Sequence, residues 1–238
     1  MRAVPLLTSL AASLTVSACG ADALSSTQKA SALPRIVAHR GGAADFPENT
    51  LLAIQGALEH RADAIWLTVQ LTRDGVPVLY RPADLSANTD GKGPVANLDL
   101  ATLQTLNAGW NFAQTDTNGA RTYPYRAHPL RIPTLAQALR TIGAFVPVML
   151  DMKALPAEPQ AAAVARILRE ENAFDRVLIY STDAAYQSAF AAYPEARRFE
   201  SRDATRNRLA TVALAHTCAA LPPAGRSAFE YATHERWS

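Results

Sequence analysis

The sequence is poor in several things, and each shortage narrows the field. It holds two cysteines in 238 residues, Cys19 and Cys218, and a formal net charge of only +2. No basic run and no basic patch interleaved with aromatics occurs, so the electrostatic footprint of a nucleic-acid binder is missing. The arginines are scattered and read as solvated surface. Neither GxGxxG nor GxxxxGK(S/T) is present, which argues against a dinucleotide fold and a P-loop. No apolar run reaches the roughly 20 residues that span a bilayer, and no internal repeat is visible. What is there is a hydrophobic share of 49% against 18% charged, the balance of a folded chain with room for one sizeable core.

The N-terminus reads as an export signal. Arg2 supplies a short positive region, and Val4 to Ala18 is an apolar stretch too short to cross a membrane. It ends Val16-Ser17-Ala18-Cys19, small residues directly before a cysteine, which resembles the lipobox of bacterial lipoproteins. The resemblance implies acylation at Cys19 and a membrane partner held through that lipid. An ordinary signal cut at Ala18 or Ala21 is the alternative. Gly20, in place of the aspartate that signals inner-membrane retention in such proteins, points to the periplasmic side of the outer membrane. Residues 1–18 are thus expected to be a signal peptide and 19–34 a polar tether. With Cys19 lipidated, Cys218 is left alone and no disulfide is expected.

From Arg35 onward strand-like and helix-like segments alternate. Arg35–His39, Ala64–Gln70, Val146–Asp151, Arg176–Ser181 and Ala196–Phe199 read as strands, with Asp74-Gly75 turning the chain into Val76–Tyr80. Helices are expected after Asn49 or Thr50, over Leu98–Leu106, over Thr134–Gly143 behind Pro133, and over Pro156–Glu171, Asp183–Tyr193 and Thr205–His216. Residues 111–131 read as a long polar loop. This alternation predicts an α/β fold with a parallel sheet. A complete eight-unit barrel takes about 250 residues, and only about five βα units are countable before Leu221-Pro222-Pro223. An incomplete barrel, with residues 221–238 as an irregular tail, is the expectation.

The chemistry-bearing residues gather at the end of the first strand. His39-Arg40-Gly41-Gly42 is followed, eight residues after the histidine, by Pro47-Glu48-Asn49-Thr50. Histidine can move protons near neutral pH, arginine offers a donor fork to phosphate, and glycine lets the backbone approach a ligand. Thr72-Arg73-Asp74-Gly75-Val76-Pro77-Val78, Asp90-Gly91-Lys92-Gly93, Ile132-Pro133-Thr134-Leu135 and Asp151-Met152-Lys153 then follow in order. In these blocks the chain resembles the glycerophosphodiester phosphodiesterase family, clearly from Arg35 to Lys153 and more faintly to Phe199.

The resemblance implies a TIM-type (β/α) barrel that hydrolyses glycerophosphodiesters to glycerol 3-phosphate and an alcohol with a divalent cation, Ca²⁺ or Mg²⁺. It places the catalytic histidine at His39 and a phosphate contact at Arg40. Glu48 matches the glutamate of the Pro-Glu-Asn-Thr block, and Asp151 stands for the later metal-binding acid. The family's Glu-x-Asp metal pair falls at Trp66 and Thr68, and its second histidine at Arg81-Pro82. Positions 66 and 68 share one face of a strand, where two carboxylates would grip a hard cation together. Trp66 offers no ligand oxygen and Thr68 only a neutral hydroxyl, so Asp151 and Glu48 are left as a degraded metal site. Loss of one of two proton-transfer groups is worth about 10²–10⁴-fold in rate.

One remedy and two functions follow. Arg81 can set a fixed charge near a phosphoryl group, with His128 the nearest second proton carrier by chain position. Lys153 is expected to bind phosphate while pairing with Asp151, Trp66 to fill the space of a cation, and Trp110 and Phe112 to be lid or packing aromatics. His60 and His234 are expected to be exposed. The chain is then either an envelope-anchored phosphodiesterase with reduced catalysis, or a non-catalytic lipoprotein whose pocket binds a glycerophosphodiester or phospholipid head group through Arg40, Arg81 and Lys153.

Overall fold

The computed structural model describes residues 35–215. Cys19 with its signal and tether, Cys218, His234 and the Pro-rich tail lie outside these residues.

The chain enters through β1 (Val37–His39), a glycine-rich turn and α1 (Leu51–Glu59). Next come β2 (Ala64–Leu71), β3 (Pro77–Leu79), the short helix α2 (Leu100–Leu103), and a two-residue-per-arm hairpin of β4 (Gln114–Thr115) and β5 (Arg121–Thr122). Regular alternation then resumes with α3 (Leu135–Ile142), β6 (Val148–Met152), α4 (Ala157–Glu170), β7 (Val177–Tyr180), α5 (Ala185–Ala189), β8 (Arg197–Arg198) and α6 (Arg202–Ala215). The main sheet runs β1-β2-β6-β7-β8, all parallel, with β3 antiparallel on β2. Five parallel strands are the five units expected, and among the described residues the sheet stays open, β1 and β8 being its two ends.

The period of two along each strand separates two faces. Ile65, Leu67 and Val69 of β2, Val148, Leu150 and Met152 of β6, and Val177 and Ile179 of β7 belong to one core with Ile54 of α1, Leu135 and Leu139 of α3 and Val164 and Leu168 of α4. The opposite face carries His39, Trp66, Thr68, Met149, Asp151, Leu178 and Tyr180, brought level by the register His39↔Trp66↔Met149↔Leu178 and Thr68↔Asp151↔Tyr180. That face is the interior side of a β/α barrel.

Local chemistry corrects several expected boundaries. Of the two caps expected for α1, Thr50 is the one used, its hydroxyl accepting from the Ala53 amide at 3.1 Å and donating to Pro47 O at 2.7 Å. Thr134 caps α3 in a capping box with Gln137, while the Pro133 carbonyl accepts from the Leu79 amide at 2.9 Å. The helix expected over Leu98–Leu106 is a single turn, because the Asn107 amide is drawn away to Asp90 Oδ1 at 2.8 Å. The one expected over Asp183–Tyr193 tightens into a 3₁₀ turn at Phe190–Ala192, since Tyr193 precedes Pro194 and leaves helical geometry. The last helix begins at Arg202 rather than Thr205, behind Ser201, whose hydroxyl accepts from the Ala204 amide. The expected 111–131 loop contains the β4–β5 hairpin and a 3₁₀ turn at Pro124–Arg126.

The core predicts a sharp contrast between two large apolar residues. Leu150 is 0% exposed in the middle of the sheet, whereas Phe145, in the loop before β6, is 97% exposed. Urea denaturation is expected to show Leu150→Ala losing about 2–5 kcal/mol, and Phe145→Ala changing stability by no more than about 0.5 kcal/mol.

Candidate functional site

The turn after β1 is left-handed for three consecutive residues, Arg40, Gly41 and Gly42, with φ of 53°, 78° and 102°. Gly41 answers two demands at once: besides its φ, a Cβ there would meet Ala53 Cβ at 3.2 Å and Ile54 N at 3.3 Å. The turn folds back so that the Asn49 amide donates to Arg40 O at 2.8 Å. It leaves His39 exposed at the strand end, its ring edge-on to Trp66 at 6.1 Å.

Arg40 and Glu48 are thereby made neighbours. Arg40 Nη1 lies 2.5 Å from Glu48 Oε2, and Glu48 Oε1 accepts from Asn88 Nδ2 at 3.1 Å, so both carboxylate oxygens are engaged. Asn88 carries no sequence signal beyond following a 3₁₀ turn, and its part here was not foreseen. Asn49 is 2% exposed, has a left-handed φ of 58°, and accepts the Thr68 amide proton on Oδ1 at 2.9 Å.

Trp66 and Thr68 lie on the interior face as expected. The Trp66 ring packs against Tyr180 at 5.1 Å and Phe199 at 6.3 Å, and those two rings meet edge-to-face at 5.7 Å. Asp151, beside Thr68 in register, is buried, and its Oδ1 is 3.3 Å from Lys153 Nζ. The ion pair expected between them is present. Arg81 is exposed just after β3, on a segment held to β2 by Gln70, whose Nε2 donates to Tyr80 O at 3.1 Å and Pro82 O at 2.8 Å. His128 is exposed, as is His60, whose Nδ1 lies 2.7 Å from Gly56 O.

A cavity of about 220 Å³ adjoins this cluster, lined by Pro47, Glu48, Asn88, Asn111 and Phe112 among others. Phe112 also contacts Tyr125 edge-on at 5.7 Å, while the Arg126 guanidinium sits 4.8 Å over Trp110 and 4.0 Å over Tyr123. Trp110 is therefore a packing aromatic, and Phe112 is part of the cavity wall.

The side chains do not suit a hard divalent cation, which wants several oxygen ligands. Among the described residues no three His, Cys, Asp or Glu side chains group as ligands. Glu48 is engaged by Arg40 and Asn88, and Asp151 by Lys153. The buried polar atoms here that lack a hydrogen-bond partner include Arg40 Nε, Asn49 Nδ2, Trp66 Nε1 and Thr68 Oγ1. Three of these four are N–H donors, which repel a cation rather than bind it.

Fold and site together define a phosphodiesterase-type β/α barrel domain. The glycerophosphoryl diester phosphodiesterase family profile matches residues 39–221, and the chain belongs to that family. It is 47% identical over 193 residues to the Mycobacterium tuberculosis protein Rv2277c, an alignment covering 81% of this chain and 63% of that protein. The chain thus spans less than two thirds of this curated relative. The crystal structure of the glycerophosphoryl diester phosphodiesterase domain of Rv2277c superposes with a TM-score of 0.73 at 46% identity, covering 79% of this chain and 68% of that one. An Oleispira antarctica phosphodiesterase in complex with the product sn-glycerol-3-phosphate is 27% identical, with a TM-score of 0.60 over 69% of this chain and 64% of that one. These likenesses make the fold a TIM-type barrel.

Asn49 yields a test of the turn. Replacing it with alanine removes the acceptor for Thr68 N–H and puts a Cβ residue in left-handed geometry, a conformation that costs about 1–2 kcal/mol for most L-residues. Asn49→Gly loses the same bond without that strain. Chemical denaturation is expected to find both variants destabilised, the alanine one by about 1 kcal/mol more.

Proposed function

We propose that the chain is a glycerophosphodiester phosphodiesterase-like envelope lipoprotein. In this reading its barrel binds the phosphoryl group of a glycerophosphodiester or phospholipid head group, and the metal-dependent hydrolysis of its family is lost or strongly reduced. The observation that carries this is the state of β2. Trp66 and Thr68 occupy the interior positions where the family resemblance calls for carboxylates, and Trp66 is packed on Tyr180 and Phe199. The remaining acids are each matched by a basic group, Glu48 by Arg40 and Asp151 by Lys153.

Retained phosphate chemistry supports the binding half of the proposal. His39, Arg40, Asp151 and Lys153 all lie at the carboxyl ends of β1 and β6, the edge where β/α barrels build their sites. Arg81, exposed just past β3, is a further positive charge on the segment that Gln70 of β2 holds. The sn-glycerol-3-phosphate complex of the Oleispira antarctica relative supports the same ligand class here. Loss of metal would remove several kcal/mol of charge stabilisation from hydrolysis, and His39 is left without a second histidine at Arg81. Cys19 and the residues before it support anchoring to the periplasmic side of the outer membrane.

Two measurements test this reading. Purified protein with Ca²⁺ or Mg²⁺ is expected to release little or no glycerol 3-phosphate from glycerophosphodiesters, and to gain little thermal stability from either ion, since a cation bound to the native state would raise it. Sustained metal-dependent release would restore the enzyme reading. Labelled palmitate is expected to enter the protein in cells and to be lost with Cys19→Ser; label retained by that variant would move or remove the anchor.

A further inference from the structure

The unpaired polar atoms around β1 and β2 are of one kind. Arg40 Nε, Asn49 Nδ2 and Trp66 Nε1 can only donate, and the Thr68 hydroxyl can donate or accept; all four are shut off from solvent with no hydrogen-bond partner. The Asn49 amide cannot be turned to change this, because its oxygen already takes the Thr68 N–H. Asn49 and Thr68 are 2% and 1% exposed. Buried donors left without acceptors are costly, about 1–3 kcal/mol each; here Trp66 and Thr68 share one face of β2, and Asn49 is bonded to the Thr68 backbone. The species that would satisfy them is rich in acceptors and carries no donors that compete, which is the description of an oxyanion.

Resting on the reading above, we infer that Thr68 and Asn49, with Trp66 Nε1 and Arg40 Nε, form a metal-free subsite that donates directly to the oxygens of a phosphate ester. Glu48 and Asp151 stand in for that ligand when it is absent. They hold Arg40 and Lys153, whose side chains are 22% and 26% exposed. Ligand oxygens take over these two basic groups as the side chains turn from carboxylate to phosphate, and no bond is made or broken. The carboxylates are then competitors of the ligand. A metal-ligand role would make them its helpers, so the two roles predict opposite signs.

The test is calorimetric titration of the full chain in excess EDTA with sn-glycerol 3-phosphate, with glycerophosphoethanolamine, and with phosphatidylethanolamine vesicles. The arms separate a soluble ester from a lipid head group. For whichever titrant binds, Thr68→Val is expected to weaken binding roughly tenfold, the scale of one hydrogen bond to a charged group, and Thr68→Ser to restore it to within about twofold. Asp151→Asn is expected to tighten binding several-fold by releasing Lys153. If Thr68→Val does not fold, Trp66→Phe, which keeps a ring but deletes Nε1–H, is expected to weaken binding several-fold. Unchanged affinity in the donor variants, or weakening by Asp151→Asn, overturns the subsite while leaving phosphate binding in place. Binding that appears only with Ca²⁺ or Mg²⁺ also overturns it. No binding under any condition overturns both this inference and the proposed function.

Discussion

The hydrogen bond from the Thr68 amide to Asn49 Oδ1 is the contact on which the rest of the site depends. β1 pairs with β2 only through Ala64, Ile65 and Trp66, so beyond Trp66 that edge of β2 has lost its strand neighbour. The other edge is occupied by β6 as far as Val69. Asn49 takes the donor at Thr68, and the Tyr80 amide, just past β3, donates to Thr68 O at 3.1 Å. A single side chain thus lets β2 change partners from β1 to β3 without leaving a buried backbone group unpaired. It also fixes the loop in which Arg40 and Glu48 meet, and the level at which Thr68 faces Asp151.

The charges around this junction balance within the protein itself. A divalent ion is kept by negative charge in excess of what the protein itself neutralises. Here the two acids are matched one for one, Glu48 by Arg40 and Asp151 by Lys153, and Trp66 and Thr68 bring none. Half-buried pairs of this sort contribute modestly to stability, because desolvation offsets most of the Coulomb gain. Their larger effect is positional: each ties a long, flexible side chain to one carboxylate. The same pairing keeps Arg40 and Lys153 beside carboxylates near the carboxyl ends of β1 and β6.

Much of the frame was legible because it rests on local periodicity. The strands at Ala64, Val146 and Arg176 announce themselves as apolar runs bounded by turns, and their order fixed both the parallel sheet and the level of positions 66, 68 and 151. Residues 111–131 were harder, since hairpin arms of two residues leave no period to read. Helix limits failed where a tertiary contact overrode propensity, as when Asp90 claims the Asn107 amide. The Asp151–Lys153 pair was visible in the chain as neighbours two apart on one face. The Trp66–Tyr180–Phe199 cluster was not, because its members come from three strands and only the register brings them together. The role of Asn49 as acceptor for the Thr68 amide was equally hidden, since asparagine before threonine at a helix start reads first as a cap.

That aromatic cluster also sets how reversible the change at β2 is. A carboxylate at position 66 would have to replace a ring in contact with Tyr180 and Phe199, each aromatic pair being worth about 0.5–1.5 kcal/mol beyond the area it buries. It would then sit beside an apolar group that includes Leu178 and Met149 as well as the two rings. A charge there pays desolvation unless a cation arrives with it. Position 68 is the easier one, lying next to Asp151, yet one added acid supplies too few oxygens for a hard ion. A two-carboxylate grip on a hard ion at these positions therefore needs both substitutions together.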